Sequence, residues 1–171
     1  KKDNKDCSLL WHACNAGHTG IVYHLLSVQR QEIDDDDDNN ALTNEIEKNL
    51  SSSLWIACNN GYEGIVKMLL DENADTNFIS KDGTSCIAIA IAKSHTKVLE
   101  LIEVKFKKSL EKLKNMLQEY IKFGEHVCVL KLIHKRPELK ETIGNDEQYL
   151  RDAVLSGSVK TVELLIALGA K

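Results

Sequence analysis

The sequence predicts an all-α fold, a solenoid of stacked helix-turn-helix units with short hairpin loops, and three observations carry that expectation. One Pro and nine Gly in 171 residues leave little material for the many tight turns of a sandwich or barrel. Apolar residues recur at helical spacing in paired short segments, as in Leu54-Trp55-Ile56-Ala57-Cys58 and Ile65-Val66-Lys67-Met68-Leu69-Leu70, with Gly61 between them. The pair also repeats along the chain. Ser8-Leu9-Leu10-Trp11-His12-Ala13-Cys14-Asn15-Ala16-Gly17 returns 44 residues later as Ser52-Ser53-Leu54-Trp55-Ile56-Ala57-Cys58-Asn59-Asn60-Gly61.

Taken in order, the copies fall at about 7–33, 51–79, 83–104, 113–137 and 146–171 of a single array covering 1–171. Their turn positions are Gly17, Gly61, Ser94, Gly124 and Gly157, spaced 44, 33, 30 and 33. Small Ala13, Ala57, Ala90 and Ala153 on the first helix of four copies let neighbouring helices approach closely. No single copy can bury its apolar face, so about three or more must stack. The 44-residue spacing marks an insertion of 11 residues within 31–50, which contains Asp34-Asp35-Asp36-Asp37-Asp38. Five adjacent like charges repel, and the segment is expected to be a disordered, solvated acidic loop. The 30-residue spacing marks a deletion, and 103–115 reads as a Lys/Glu-rich helical connection on which Leu110, Leu113, Met116 and Leu117 recur at helical spacing.

Composition narrows the function. The formal net charge is -4, which argues against general nucleic-acid binding, since that usually needs a basic surface to release counterions. No apolar run approaches the roughly 18 residues of a membrane span, and the first residues lack the apolar stretch of a secretory signal. The expected location is therefore intracellular, in the cytoplasm. The absence of an initiator Met and the apolar end at Leu164-Leu165-Ile166 are consistent with an excerpt from a longer chain.

These residues resemble the ankyrin repeat family. The 33-residue period fits, and the family's Thr-Pro-Leu-His-x-Ala signature survives in worn form as Ser8-Leu9-Leu10-Trp11-His12-Ala13. Asn73-Ala74-Asp75-Thr76-Asn77 is similar to the family's Gly-Ala-Asp-Val-Asn, Asp82-Gly83-Thr84-Ser85 to its hairpin return, and Gly169-Ala170 matches again. The resemblance covers about residues 7–171. It implies a noncatalytic module that binds another protein through the concave face of the solenoid, monomeric and without a cofactor. A second reading is the targeting or regulatory domain of a larger enzyme or host-directed effector. Hairpin tips and the two residues before each turn position face the concave side in the family. That placement nominates Asn15, Asn59, Asn60, Phe78, Ile79, Lys81, Lys93, Lys122 and Phe123 as partner-binding residues. Leu155 and Ser156 occupy the same pair of positions in the last copy.

Catalytic and metal chemistry find no foothold in the motifs. Cys7, Cys14, Cys58, Cys86 and Cys128 show no zinc-ligand spacing, and an odd count does not suit a secreted disulfide framework. They are expected to be small buried hydrophobes. The acidic run lacks the Gly and spaced ligands of a calcium loop. No phosphate cradle, GxSxG elbow or HExxH occurs. His18 and His95 directly follow turn positions, where a turn hydrogen bond is expected. Trp11 and Trp55 are equivalent and are expected to be partly buried, with the indole N–H bonded to backbone. The lysines at 105, 107, 108, 112 and 114 read as a solvated helix face, with an acidic partner or anionic membrane surface as the alternative.

Overall fold

A computed structural model describes residues 7–35, 40–107 and 109–170. Among the described residues there are eleven helices and no strand beyond a single antiparallel bridge, Ile79 to Ser85. Ten helices come as consecutive pairs across short turns: α1 (Leu9–Ala16) and α2 (Thr19–Asp35), α3 (Asn40–Asn60) and α4 (Glu63–Asp71), α5 (Cys86–Ala92) and α6 (Thr96–Phe106), α7 (Leu110–Lys122) and α8 (His126–Lys135), α10 (Glu147–Leu155) and α11 (Val159–Ala167). The remaining helix, α9 (Leu139–Asn145), lies in the chain between the fourth and fifth pairs. Where a single array was expected, the residues group into two compact units, one ending at Lys105 and one beginning at Phe106. The division falls at the connection from which three residues of the repeat are missing.

The turns inside the pairs share one backbone conformation, and four of them share a closing hydrogen bond. Gly17, Gly61, Ser94, Gly124 and Gly157 all have left-handed backbone, with φ of 74, 72, 58, 69 and 70°. The next amide then reaches back five residues: His18 to the Ala13 carbonyl, Tyr62 to Ala57, His95 to Ala90 and Glu125 to Tyr120, at 2.9 to 3.1 Å. That bond satisfies a carbonyl the helix end would otherwise leave orphaned. The second helix of a pair can stop in the same manner. Asn73 (φ 60°) sends Ala74 to the Leu69 carbonyl, and Gly169 (φ 100°) sends Ala170 to Leu165.

In the first unit, α1 packs on α3 and α3 on α5. Ala57 and Ala90 are fully buried and Ala13 nearly so, which lets these first helices close up. Leu54, Ile65 and Leu69 are sealed between them, and each such side chain contributes about 1.5–3 kcal/mol on burial. Ser8 and Ser85 cap α1 and α5, each hydroxyl accepting an amide three residues on. Their counterpart Ser52 does not cap. Here α3 runs twelve residues further toward the N-terminus, and the Ser52 hydroxyl donates to the Asn49 carbonyl inside the helix.

That longer helix changes the picture of the insertion. Residues 31–35 and 40–50 are helical, and only 36–39, the remainder of the acidic run, lie outside the described residues. The reason is apolar spacing. Ile46, Leu50 and Leu54 recur every four residues and are all buried, so the core stripe of α3 continues into the insertion.

In the second unit, α7 packs on α10 and α8 on α11. Within 103–115, α6 runs to Phe106 and α7 begins at Leu110. Ser109 caps α7 by accepting the Lys112 amide, and its own amide bonds the Phe106 carbonyl. A further helix, α9, follows copy four, and its Leu139 and Ile143, four apart, are fully buried. Asp152, buried on α10, accepts from the Gln118 amide of α7 at 2.9 Å and from Gln148 at 2.8 Å. The buried carboxylate is thus hydrogen-bonded across the helix pair.

Candidate functional site

In the first unit the ends of the first helices form a hydrogen-bonded ladder. Asn60 donates from Nδ2 to the Asn15 carbonyl at 3.1 Å and lies 3.3 Å from Asn15 Oδ1. Asn59 Nδ2 donates to Asn60 Oδ1 at 3.0 Å. The Asn59 carbonyl in turn accepts from His95 Nε2–H at 3.1 Å. Three of the nominated residues, Asn15, Asn59 and Asn60, are thereby brought together, and His95 joins them. Lys93 is exposed at the C-cap of α5, the next position in the row.

His95 has a second role. A Cβ added at Gly61 would meet the imidazole Cε1 at 2.6 Å, so the ring lies directly on the preceding turn. Tyr62 covers Gly17 in the same way, with ring Cζ 2.9 Å from the position of a Cβ. The sequence reading expected a turn hydrogen bond for His18 and His95. Both amides make one, but only His95 also engages its side chain, while His18 is exposed.

The hairpin finger between copies two and three carries the next nominees. Ser80 N–H donates to Thr84 O at 3.0 Å and Gly83 N–H to Ser80 O at 2.9 Å, closing a turn with Lys81 exposed at its tip. Ile79 is 55% exposed and Phe78 half-buried. Trp55 ties this finger to α3: its indole Nε1–H donates to the Thr84 carbonyl at 2.9 Å. The equivalent Trp11 is half-buried with its ring edge-on to His12, centroids 5.2 Å apart.

In the second unit, Phe123 is 43% exposed at the C-cap of α7, and the exposed Lys122 pairs with Glu119 at 3.3 Å. Its counterpart Leu155 is 83% exposed, the most exposed large apolar side chain among the described residues. Leu155 stands at one of the two pre-turn positions that the family resemblance places on the concave side.

Other sequence features are absorbed by structure. Cys14, Cys58 and Cys86 are fully buried and free, and burial pushes the Cys14 thiol up to about 12 despite a hydrogen bond with Ser53. A hydrogen bond with Cys86, followed by burial, holds Cys58 well above the ordinary thiol range. Cys7 and Cys128 differ from the expectation in being only half-buried. Lys105 donates to the Leu70 carbonyl at 2.7 Å and to Asn73 Oδ1 at 3.0 Å, sealing the end of α4. Lys112 stands over the Phe106 ring at 5.5 Å. Lys107 is exposed and Lys114 half-buried, while Lys108 lies outside the described residues. No group of three or more His, Cys, Asp or Glu side chains suited to a metal occurs among the described residues. None of the described helices is long and apolar enough to cross a membrane.

The left-handed turns, the stacked first helices and the finger identify the repeat, and the sequence of residues 49–81 matches the Ankyrin repeat family. Residues 49–81 are an ankyrin repeat. Its fold is similar to that of the human ASB11 ankyrin repeat domain seen in a crystal structure, with a TM-score of 0.56 and 21% identity over 96% of this chain and 70% of that one. No curated protein matches the chain in sequence. Ankyrin repeats are, in general, protein-interaction modules, and the matched stretch holds the second copy together with the Phe78, Ile79 and Lys81 finger.

Proposed function

We propose that this ankyrin-repeat chain is a noncatalytic module that takes a partner protein along its concave face, in an intracellular, cytoplasmic setting and without a cofactor. The observation that carries this reading is a contrast along the first helices. Cys58, Ala57 and Leu54 of α3 are fully buried, whereas several side chains just before the turns are exposed. Asn15, Lys93, Lys122 and Phe123 are exposed there, and Ile79 and Lys81 are exposed on the finger.

The ladder preorders that row. Asn15, Asn60 and Asn59 are already hydrogen-bonded to one another, so little side-chain entropy is lost when a partner docks. Ile79 and Phe123 supply apolar anchors of the kind that dominate binding energy when they become desolvated.

Photocrosslinking tests the reading. A benzophenone side chain placed at Lys93 is expected to crosslink to the partner in native extract, whereas one at Lys160, exposed on α11, is not. Crosslinks from Lys160 alone would move the site to another face.

A further inference from the structure

The finger between α4 and α5 is a hairpin with one edge left open. Ile79 and Ser85 face each other across an antiparallel bridge, and the Ser80 N–H, one residue on, donates inward to the Thr84 carbonyl at 3.0 Å. In such a ladder the main-chain groups of successive residues point to opposite sides, so the N–H and carbonyl of Ile79 point away from Ser85. Nothing among the described residues bonds either group, and no second bridge occurs there. The return strand is engaged instead. Its Ser85 carbonyl accepts from the Ile89 N–H at 3.0 Å, and its Thr84 carbonyl also takes the Trp55 indole.

The open edge is held in shape before anything pairs with it. Trp55 ties the finger to α3, the Ser80 hydroxyl accepts from the Thr84 amide at 3.2 Å, and the Asp75 carboxylate accepts from the Asn77 amide at 3.0 Å. Exposure alternates along it: Asn77, Ile79 and Lys81 are exposed, while Phe78 and Ser80 are half-buried. That is the period of a strand. Ile79 thus sets a bare aliphatic side chain beside its two unbonded main-chain groups, and Lys81, two residues on, pairs with no carboxylate among the described residues. An extended main chain supplies the two bonds that Ile79 lacks, an aliphatic side chain opposite covers it, and a carboxylate meets Lys81.

We propose that the finger takes an extended segment of the partner protein as an added antiparallel strand. The segment pairs main chain to main chain with Ile79, sets an aliphatic residue opposite it, and carries Asp or Glu two residues earlier, opposite Lys81. Antiparallel pairing is the direction of the finger's own bridge and the slightly more stable one. This rests on the finger being part of the partner-binding surface and adds the form and chemistry of what binds there. Main-chain bonds give the affinity, and the two side chains give the selectivity.

Two blocked peptides test this on the 171-residue chain, each of threonine except for one valine and, two residues before it, either glutamate or lysine. At on the order of 1 mM, the glutamate peptide should slow solvent exchange of the Ile79 amide at least about twofold, the factor that half occupancy gives, and the lysine peptide should not. Lys81→Glu should exchange the effects of the two peptides. Ile79→Pro removes the outward N–H without breaking a bond of the finger and should abolish binding of the glutamate peptide, whereas Ile79→Val should keep it. Unchanged protection of the Ser80 and Gly83 amides shows that the finger is folded in both variants; if proline unfolds it, the exchange measurement on the wild type decides alone. No slowing at Ile79 by either peptide overturns the proposal, and so does equal slowing by both. Binding retained by a folded Ile79→Pro also overturns it. The Lys93 crosslink reads the concave row without touching this edge. Crosslinks there beside an unaffected Ile79 amide would keep concave recognition and remove the strand pairing, whereas a slowed amide without crosslinks would keep the pairing and remove the row.

Discussion

The imidazole of His95 rests on the turn at Gly61, 2.6 Å from where a Cβ would stand, while its Nε2–H holds the Asn59 carbonyl at 3.1 Å. One side chain therefore fixes both the turn of copy two and the ladder beside it. Gly61 is required twice over, by its φ of 72° and by the ring above it.

Gly61→Ala should accordingly cost about 2–3 kcal/mol, the upper part of the range for a forced left-handed residue, because a steric conflict adds to the strain. The two contributions separate in a double-mutant cycle. His95→Ala in the Gly61→Ala background should recover the steric part, and Ser94→Gly should be neutral or stabilising because Ser94 already bears a φ of 58°. Additive urea-denaturation energies for Gly61→Ala and His95→Ala would show that the ring and the turn are uncoupled.

Trp55→Phe should cost about 1 kcal/mol, the net worth of one hydrogen bond, by releasing the Thr84 carbonyl. The effect should be local. Amide exchange should accelerate at Ser80 and Gly83, whose bonds close the finger, with little change in α4. Unchanged protection in the finger would mean that the indole does not hold it.

The buried thiols make alkaline stability informative. Cys14 titrates near 9.0 when unfolded and about 12 when folded, so above pH 9 the unfolded chain gives up a proton that the folded chain retains. Stability from this group is complete below pH 9 and is lost progressively toward pH 12. Cys14→Ala should flatten the decline of Tm across that window relative to the wild type. At pH 8 a thiol reagent should label Cys7 and Cys128 in the native protein, and Cys14, Cys58 and Cys86 only after unfolding. Rapid labelling of Cys58 in the native state would contradict its burial.

Much of this fold is legible in the sequence because turn positions and small residues are fixed by backbone geometry. All five positions read as turn markers have left-handed φ, including Ser94, which only the repeat register reveals. The extent of α3 was hidden by its charges: the acidic run reads as solvated, while Ile46 and Leu50 continue the core stripe into the insertion. Helix α9 was missed because it is a seven-residue segment with only Leu139 and Ile143 as its buried pair, too short for periodicity to show. The ladder was half legible. Repeat position nominates Asn15, Asn59 and Asn60, but that His95 of the next copy bonds one of them is a tertiary fact, visible only when the copies stack.

The most direct measurement of the central claim is a calorimetric titration of the partner, recovered from native cells with the intact chain, against wild type and Ile79→Ala/Phe123→Ala. Both side chains are exposed, so helix content should be unchanged. The account predicts affinity at least about tenfold weaker, equivalent to about 1.4 kcal/mol for the two anchors together. Equal affinity for the two proteins would contradict recognition through the finger and the first-helix ends.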